Sequence, residues 1–205
     1  LHITSIINKI NERQEQFPPG HREYAVLVPL LPINDDVQVL FEVRNHYMRQ
    51  QPGEISFPGG RLEMNESWQN AACRETCEEI GLTDSQLSWL GELDIASVGV
   101  HRTVHAGVAL LDAQFENLKP SPAEVAELFT VPLQYFLDNA PEMHHVNVNN
   151  SPSDNFPFDY IPGGRQYPWN SSNYDVPFYF YQDRVIWGLT ARVIQNLVQI
   201  LRVEA

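Results

Sequence analysis

Apolar and polar positions along the chain follow two periods, and each period marks a different kind of element. Residues 23–31 (EYAVLVPLL) and 37–44 (VQVLFEVR) are short apolar-rich runs, and they predict two strands joined by a turn around Asn34-Asp35-Asp36. Residues 87–95, 104–111, 176–182 (VPFYFYQ) and 185–187 are further predicted strands. A helical period appears in residues 3–16, where Ile3, Ile6, Ile7 and Ile10 fall on one stripe that ends before Pro18-Pro19-Gly20. That helix is expected to pack against the domain edge. Residues 188–203 form a second helical segment, with Leu189, Val193, Leu197 and Ile200 or Leu201 on one face. Residues 132–137 predict a short helix. Residues 45–56 and 97–103 read as loops, and residues 139–175 follow neither period. His101 is given no role, and Gly163-Gly164-Arg165 is read as a turn. Strands before and after a central helix, closed by a C-terminal helix, predict an α/β sandwich in one domain over residues 1–205. Residues 1–20 are then an N-terminal helical extension, and residues 139–175 an irregular insertion.

The central helix carries the chemistry. It lies in residues 60–82, GRLEMNESWQNAACRETCEEIGL, with Ser67 as N-cap and Gly81 as stop. At the helical period Glu75, Glu78 and Glu79 share an arc of roughly 100°, while Cys73, Thr76, Cys77 and Ile80 fall opposite. Three carboxylates that close repel one another. A divalent cation removes the repulsion, and hard oxygen donors suit Mg²⁺ or Mn²⁺. The ordinary alternative is a solvated acidic face on an amphipathic helix.

Charge narrows the ligands. The net charge is −13, so long nucleic acid is a poor partner, while a small anion brought in with metal remains open. No apolar run approaches the roughly 18 residues of a membrane span. The two cysteines, Cys73 and Cys77, are expected as buried reduced thiols, which suits a cytoplasmic setting. The chain begins at Leu1 rather than Met, and its first residues lack a secretory pattern.

The spacing extends beyond one helix. Gly60, five residues, Glu66, seven residues, Arg74-Glu75, two residues, Glu78-Glu79, one residue, Gly81 and an apolar Leu82 resemble the complete signature of the Nudix hydrolases. Thr76 is less apolar than the family usually has there. The resemblance implies an α/β/α sandwich with a mixed sheet and a catalytic loop-helix-loop. It implies metal-dependent cleavage of a phosphoanhydride, with Mg²⁺ or Mn²⁺ held by Glu75, Glu78, Glu79 and the carbonyl of Gly60. Arg74 resembles the arginine that orients one of these glutamates. Glu66 supports the loop or a water near the metal. The signature leaves the general base open among Glu75, Glu78 and, in a later loop, Glu124.

A second pattern concerns the substrate. Leu40-Phe41-Glu42-Val43-Arg44, then Arg49, Gly53 and Phe57-Pro58-Gly59-Gly60 resemble the upstream motif of the coenzyme A pyrophosphatase branch. Arg44, four residues, Arg49, three residues, Gly53, three residues and Phe57 keep its spacing. Asn45-His46-Tyr47 stand where small residues are usual. Residues 122–133 (PAEVAELFTVPL) and 186–191 (IWGLTA) also look like this branch. The resemblance implies hydrolysis of coenzyme A to 4′-phosphopantetheine and adenosine 3′,5′-bisphosphate. Substrate contacts would come from Arg44, Arg49 and Phe57, with Arg61 nearby, and a homodimer is compatible with it. Other expectations are a diphosphatase for nucleotide sugars, dinucleotides or nucleoside triphosphates, and a non-catalytic nucleotide-binding regulator of the same fold.

Overall fold

The computed structural model describes residues 2–11, 17–34, 36–97, 99 and 101–203. In chain order its elements are α1 (Ile3–Asn11), β1 (Arg22–Ile33), β2 (Asp36–Arg44), β3 (Ile55–Ser56), β4 (Gly59–Arg61) and α2 (Trp68–Ile80). There follow β5 (Leu87–Glu92), β6 (Ala96–Ser97), β7 (Arg102–Leu111), β8 (Val125–Pro132), α3 (Leu133–Asp138), β9 (Glu142–Asn149), β10 (Ser171–Tyr181), β11 (Arg184–Trp187) and α4 (Gly188–Arg202).

β1 runs parallel to β7 and antiparallel to β2, which makes the eight-stranded sheet mixed. β1 and β2 pair from Leu30–Val39 to Ile33–Asp36. Toward their other ends β4 lies beside β1 and β3 beside β2. The chain between β3 and β4 therefore crosses the gap where β1 and β2 part. It crosses tightly: Gly59 has φ +153°, and a Cβ there would overlap the Ala25 carbonyl and Val26. Only glycine fits. β8 pairs with β2, and β5 and β6 pair with β7. β9, β10 and β11 form a separate antiparallel sheet.

The two-residue period of the strands divides the core in two. Val28, Leu30, Val39, Phe41 and Val108 pack with Phe136 of α3 and Ile194 and Leu197 of α4. On the other face Ala25, Leu27 and Ala109 pack with Ala71 and Ala72 of α2, and Leu31, Leu40 and Leu111 pack with Ile80. This is the expected α/β/α layering around a mixed sheet.

Several expectations are corrected. Ile3 and Ile7 of α1 are exposed rather than packed on a domain edge, and positions 12–16 lie outside the described residues. The loop expected over residues 97–103 is shorter, because Arg102 and Thr103 already belong to β7. The region 139–175 is not wholly irregular: it holds β9 and the start of β10. All of β9 is exposed, and only Val146 and Val148 alternate in its otherwise polar sequence. On α4 the buried set is Ala191, Val193, Ile194, Leu197 and Val198, while Ile200 and Leu201 are exposed. Among the described residues no helix is long and apolar enough to cross a membrane.

Candidate active site

α2 begins and ends where its caps dictate. Asn70 N–H donates to Ser67 Oγ at 3.2 Å, and Gly81, with φ 74°, donates to the Cys77 carbonyl. Ala71, Ala72, Thr76 and Ile80 are buried against the sheet. Thr76 is tolerated there because its hydroxyl donates to the Ala72 carbonyl at 2.7 Å.

Arg74 ties the preceding loop to the helix. Its Nε and Nη2 donate to the two oxygens of Glu66 at 2.9 and 3.0 Å. Its Nη1 donates to Glu75 Oε1 at 2.9 Å and lies 3.8 Å from Glu78. The hydrogen bonds from Arg74 hold the Glu66 carboxyl below the usual range. Burial pushes Glu75 up, against the opposing pull of Arg74. Gly60 lies so close that a Cβ there would overlap the Glu75 carboxylate.

The three α2 carboxylates do not share one exposed arc. Glu78 is exposed, with 62% of its side chain accessible. Glu79 is buried, and this corrects the expectation that it faces away from the apolar side on one arc with Glu75 and Glu78. It turns toward the β3–β4 crossing, where Gly59 N–H donates to its Oε2 at 2.7 Å. Burial, and then the charge of Glu42, pushes Glu79 well above the usual carboxylate range.

Glu42 is the residue that sequence reasoning missed. It follows Leu40 on the α2 face of β2 and is completely buried. Ser56 Oγ donates to its Oε1 at 2.9 Å, and Arg44 Nη1 lies 3.7 Å away. Its Oε2 is buried without a partner. Burial raises its pKa. A usable signal was present: a carboxylate flanked by Phe41 and Val43 in a strand is a costly residue to bury without purpose.

Glu124 is exposed just before β8, and its charge acts on Glu42, Glu75 and Glu79. Its backbone is anchored, since Asn45 N–H donates to the Glu124 carbonyl at 2.7 Å. Among the described residues no three His, Cys, Asp or Glu side chains already converge in metal-binding geometry. The donor set still fits a divalent cation. It consists of hard oxygens, its charges oppose one another, and Glu42 Oε2 lacks a partner.

The arginines differ. Arg44 is mostly buried, and its Nε has no partner. Arg49 and Arg61 are exposed. Backbone bonds between Arg44 and Gly53–Glu54 close the loop that carries Arg49. Phe57 is corrected from a substrate contact to a core residue: it is 3% exposed and stacks on Phe41 at 4.9 Å. Cys73 and Cys77 are free thiols, but they are half-buried rather than buried. They line an open cavity of about 570 Å³ with Arg74, Glu78 and Asp84.

Known proteins resemble this chain. The NUDIX domain family matches residues 21–149. The chain is 30% identical over 209 residues to the uncharacterized Nudix hydrolase NudL of Photorhabdus laumondii, covering 98% of this chain and 100% of that one. It is 36% identical over 116 residues to the peroxisomal coenzyme A diphosphatase NUDT7 of Mus musculus, covering 56% of this chain. The match spans 49% of that mouse protein, about half its length. Among solved structures, a MutT/nudix family protein from Enterococcus faecalis aligns over 98% of this chain and 70% of its own. The TM-score is 0.54 at 13% identity, a likeness of fold.

Proposed function

The chain belongs to the NUDIX domain family of pyrophosphate hydrolases, and from that premise we propose that it cleaves the diphosphate of coenzyme A or its acyl derivatives. The products are 4′-phosphopantetheine, or its acyl form, and adenosine 3′,5′-bisphosphate. One observation carries the choice of substrate. The loop with the spacing of Arg44, Arg49, Gly53 and Phe57 is pinned shut at its base and runs directly into the Ser56–Gly60 crossing beside Glu42 and Glu79. The likeness to mouse NUDT7 supports the same substrate.

Hydrolases of this family generally use divalent cations such as Mg²⁺ or Mn²⁺. Here Glu75, Glu78, Glu79 and the Gly60 carbonyl would hold the ion, which neutralises phosphate charge and acidifies bound water. Arg74 keeps Glu75 turned toward Gly60 and ties its loop to α2 through Glu66. Phe57, packed on Phe41, fixes the crossing in place. The carboxylate that takes the proton of the attacking water must pass it on to solvent. Glu78 and Glu124 are exposed and meet that need, while Glu75 is held by Arg74. Arg49, exposed on the loop, is placed to pair with a phosphate that the cation leaves unneutralised.

A second reading has one observation behind it. Asn45 uses its side chain on the loop itself, accepting from Tyr47 N–H and donating to the Pro122 carbonyl, and Tyr47 is 96% exposed. Asn45-His46-Tyr47 thus fill the stretch where the coenzyme A motif has small residues, and this departure leaves another nucleoside diphosphate derivative open. Turnover of coenzyme A, nucleotide sugars, dinucleotides and nucleoside triphosphates with Mg²⁺ and with Mn²⁺, products identified by mass, separates the two. Coenzyme A is expected to give the highest kcat/KM. A higher value on any of the others overturns the coenzyme A reading.

A further inference from the structure

We propose that Glu42, on β2, joins the carboxylates of α2 in holding the divalent cation, so that the site is built from strand and helix together. The inference rests on the cation-dependent reaction proposed above and not on the choice of coenzyme A.

Glu42 is completely buried, and a carboxylate in that setting is costly unless something answers its charge. The protein supplies little. Ser56 gives one neutral hydrogen bond to Oε1. Arg44 approaches the same oxygen only to 3.7 Å, beyond hydrogen-bond reach. Among the described residues Oε2 has no hydrogen-bond partner. Nor does Glu79 help, because it is a second buried carboxylate, held by the Gly59 N–H of the same segment. Two buried carboxylates anchored on one short segment, at Ser56 and at Gly59, call for a positive counter-charge beyond the single guanidinium of Arg44.

Position argues the same way. Ser56 Oγ holds Glu42 from β2, and Gly59 N–H holds Glu79 from α2. Both donors belong to the single segment that crosses between the parted strands β1 and β2. The next residue, Gly60, leaves room only for the Glu75 carboxylate. The crossing thus touches a carboxylate from β2 at Ser56 and carboxylates from α2 at Gly59 and Gly60, within five residues of chain. Each fixed carboxylate has one oxygen outside these bonds: Oε2 of Glu42, and on Glu79 the oxygen that does not accept from Gly59. Hard oxygens arranged in this way suit Mg²⁺ or Mn²⁺.

The test is Mn²⁺ binding to the full chain after stripping with EDTA, read by the electron paramagnetic resonance signal of free Mn²⁺, with thermal melting alongside. Neither readout needs a substrate. Wild type is expected to bind Mn²⁺, and Glu42→Gln to bind it about 10- to 100-fold more weakly. The same variant should melt no lower than wild type without metal, because it removes a buried unanswered charge while keeping an acceptor for Ser56. Its gain in melting temperature on adding Mn²⁺ should be smaller than the wild-type gain. Glu42→Asp keeps the charge but withdraws it by one methylene, and it too should bind Mn²⁺ more weakly. It also serves if the Gln variant does not fold. Wild-type Mn²⁺ affinity in the folded variants overturns the role of Glu42 and leaves the coenzyme A reading standing. A wild-type chain that binds no Mn²⁺ overturns the proposal at its premise.

Discussion

Arg74 makes three charge-assisted hydrogen bonds at once, two to Glu66 and one to Glu75, and only a planar fork can do so. Arg74→Lys keeps the charge but loses the planar fork that meets both oxygens of Glu66. We expect kcat to fall about 10- to 100-fold, as when a residue orienting a metal ligand is lost. Unchanged kcat in a folded Arg74→Lys protein would remove Arg74 from the site's support. Glu79 leads to a different prediction, because its carboxyl is buried, accepts from Gly59 and is pushed toward its protonated form. Glu79→Gln resembles that neutral form and keeps the acceptor. Metal-free melting should therefore be unchanged or higher, while kcat falls about 10²-fold if, as proposed, its charge helps to hold the cation. A large drop in metal-free melting would instead mark Glu79 as structural.

At the scale of elements, α2 shows what local sequence can specify. Ser67 and Gly81 bound it as read, because caps act over three or four residues and are visible in the sequence itself. Gly81 is required twice over: φ is 74°, and a Cβ would overlap the Lys119 carbonyl. Gly81→Ala should cost at least about 1–2 kcal/mol, the penalty of a left-handed backbone alone. Urea unfolding measures it, and a loss under a few tenths would show that the helix end can relax. What the sequence could not reveal depends on partners far along the chain. Glu79 shares the periodicity of Glu75 and Glu78, yet its burial comes from the β3–β4 crossing twenty residues earlier. Glu42 looks like one polar position in an apolar strand until Ser56 and Glu79 are brought to it. Phe57, in a motif associated with substrate, faces Phe41 because the crossing turns its ring into the core. β9 left only a faint trace for the opposite reason: every residue is exposed, and its alternation is confined to Val146-Asn147-Val148-Asn149 behind a polar start.

At the scale of the whole molecule, the carboxylate cluster couples stability to pH and to the cation. The chain carries a net charge of −13, and Glu42, Glu75 and Glu79 all titrate above the ordinary 4.5 in the folded protein. In each case burial is the leading cause. Above pH 4.5 the unfolded chain releases these protons while the folded chain still holds them, so the folded state binds more. Linkage then requires stability to fall as pH rises through this window. Glu66 and Glu127 are shifted the other way by their arginine partners, so their titration lies below 4.5 and leaves the neutral range to the buried cluster. In EDTA the melting temperature should therefore decline from pH 5.5 to pH 8.5. A bound cation replaces the protons as counter-charge and gains affinity as the carboxylates ionise, so saturating Mg²⁺ should flatten the decline and stabilise most at high pH. Melting curves over that range, with EDTA and with Mg²⁺, check both parts. A metal-free melting temperature that rises with pH would show that these carboxylates ionise freely in the fold, and the electrostatic case for a cation at the β3–β4 crossing would fail with it.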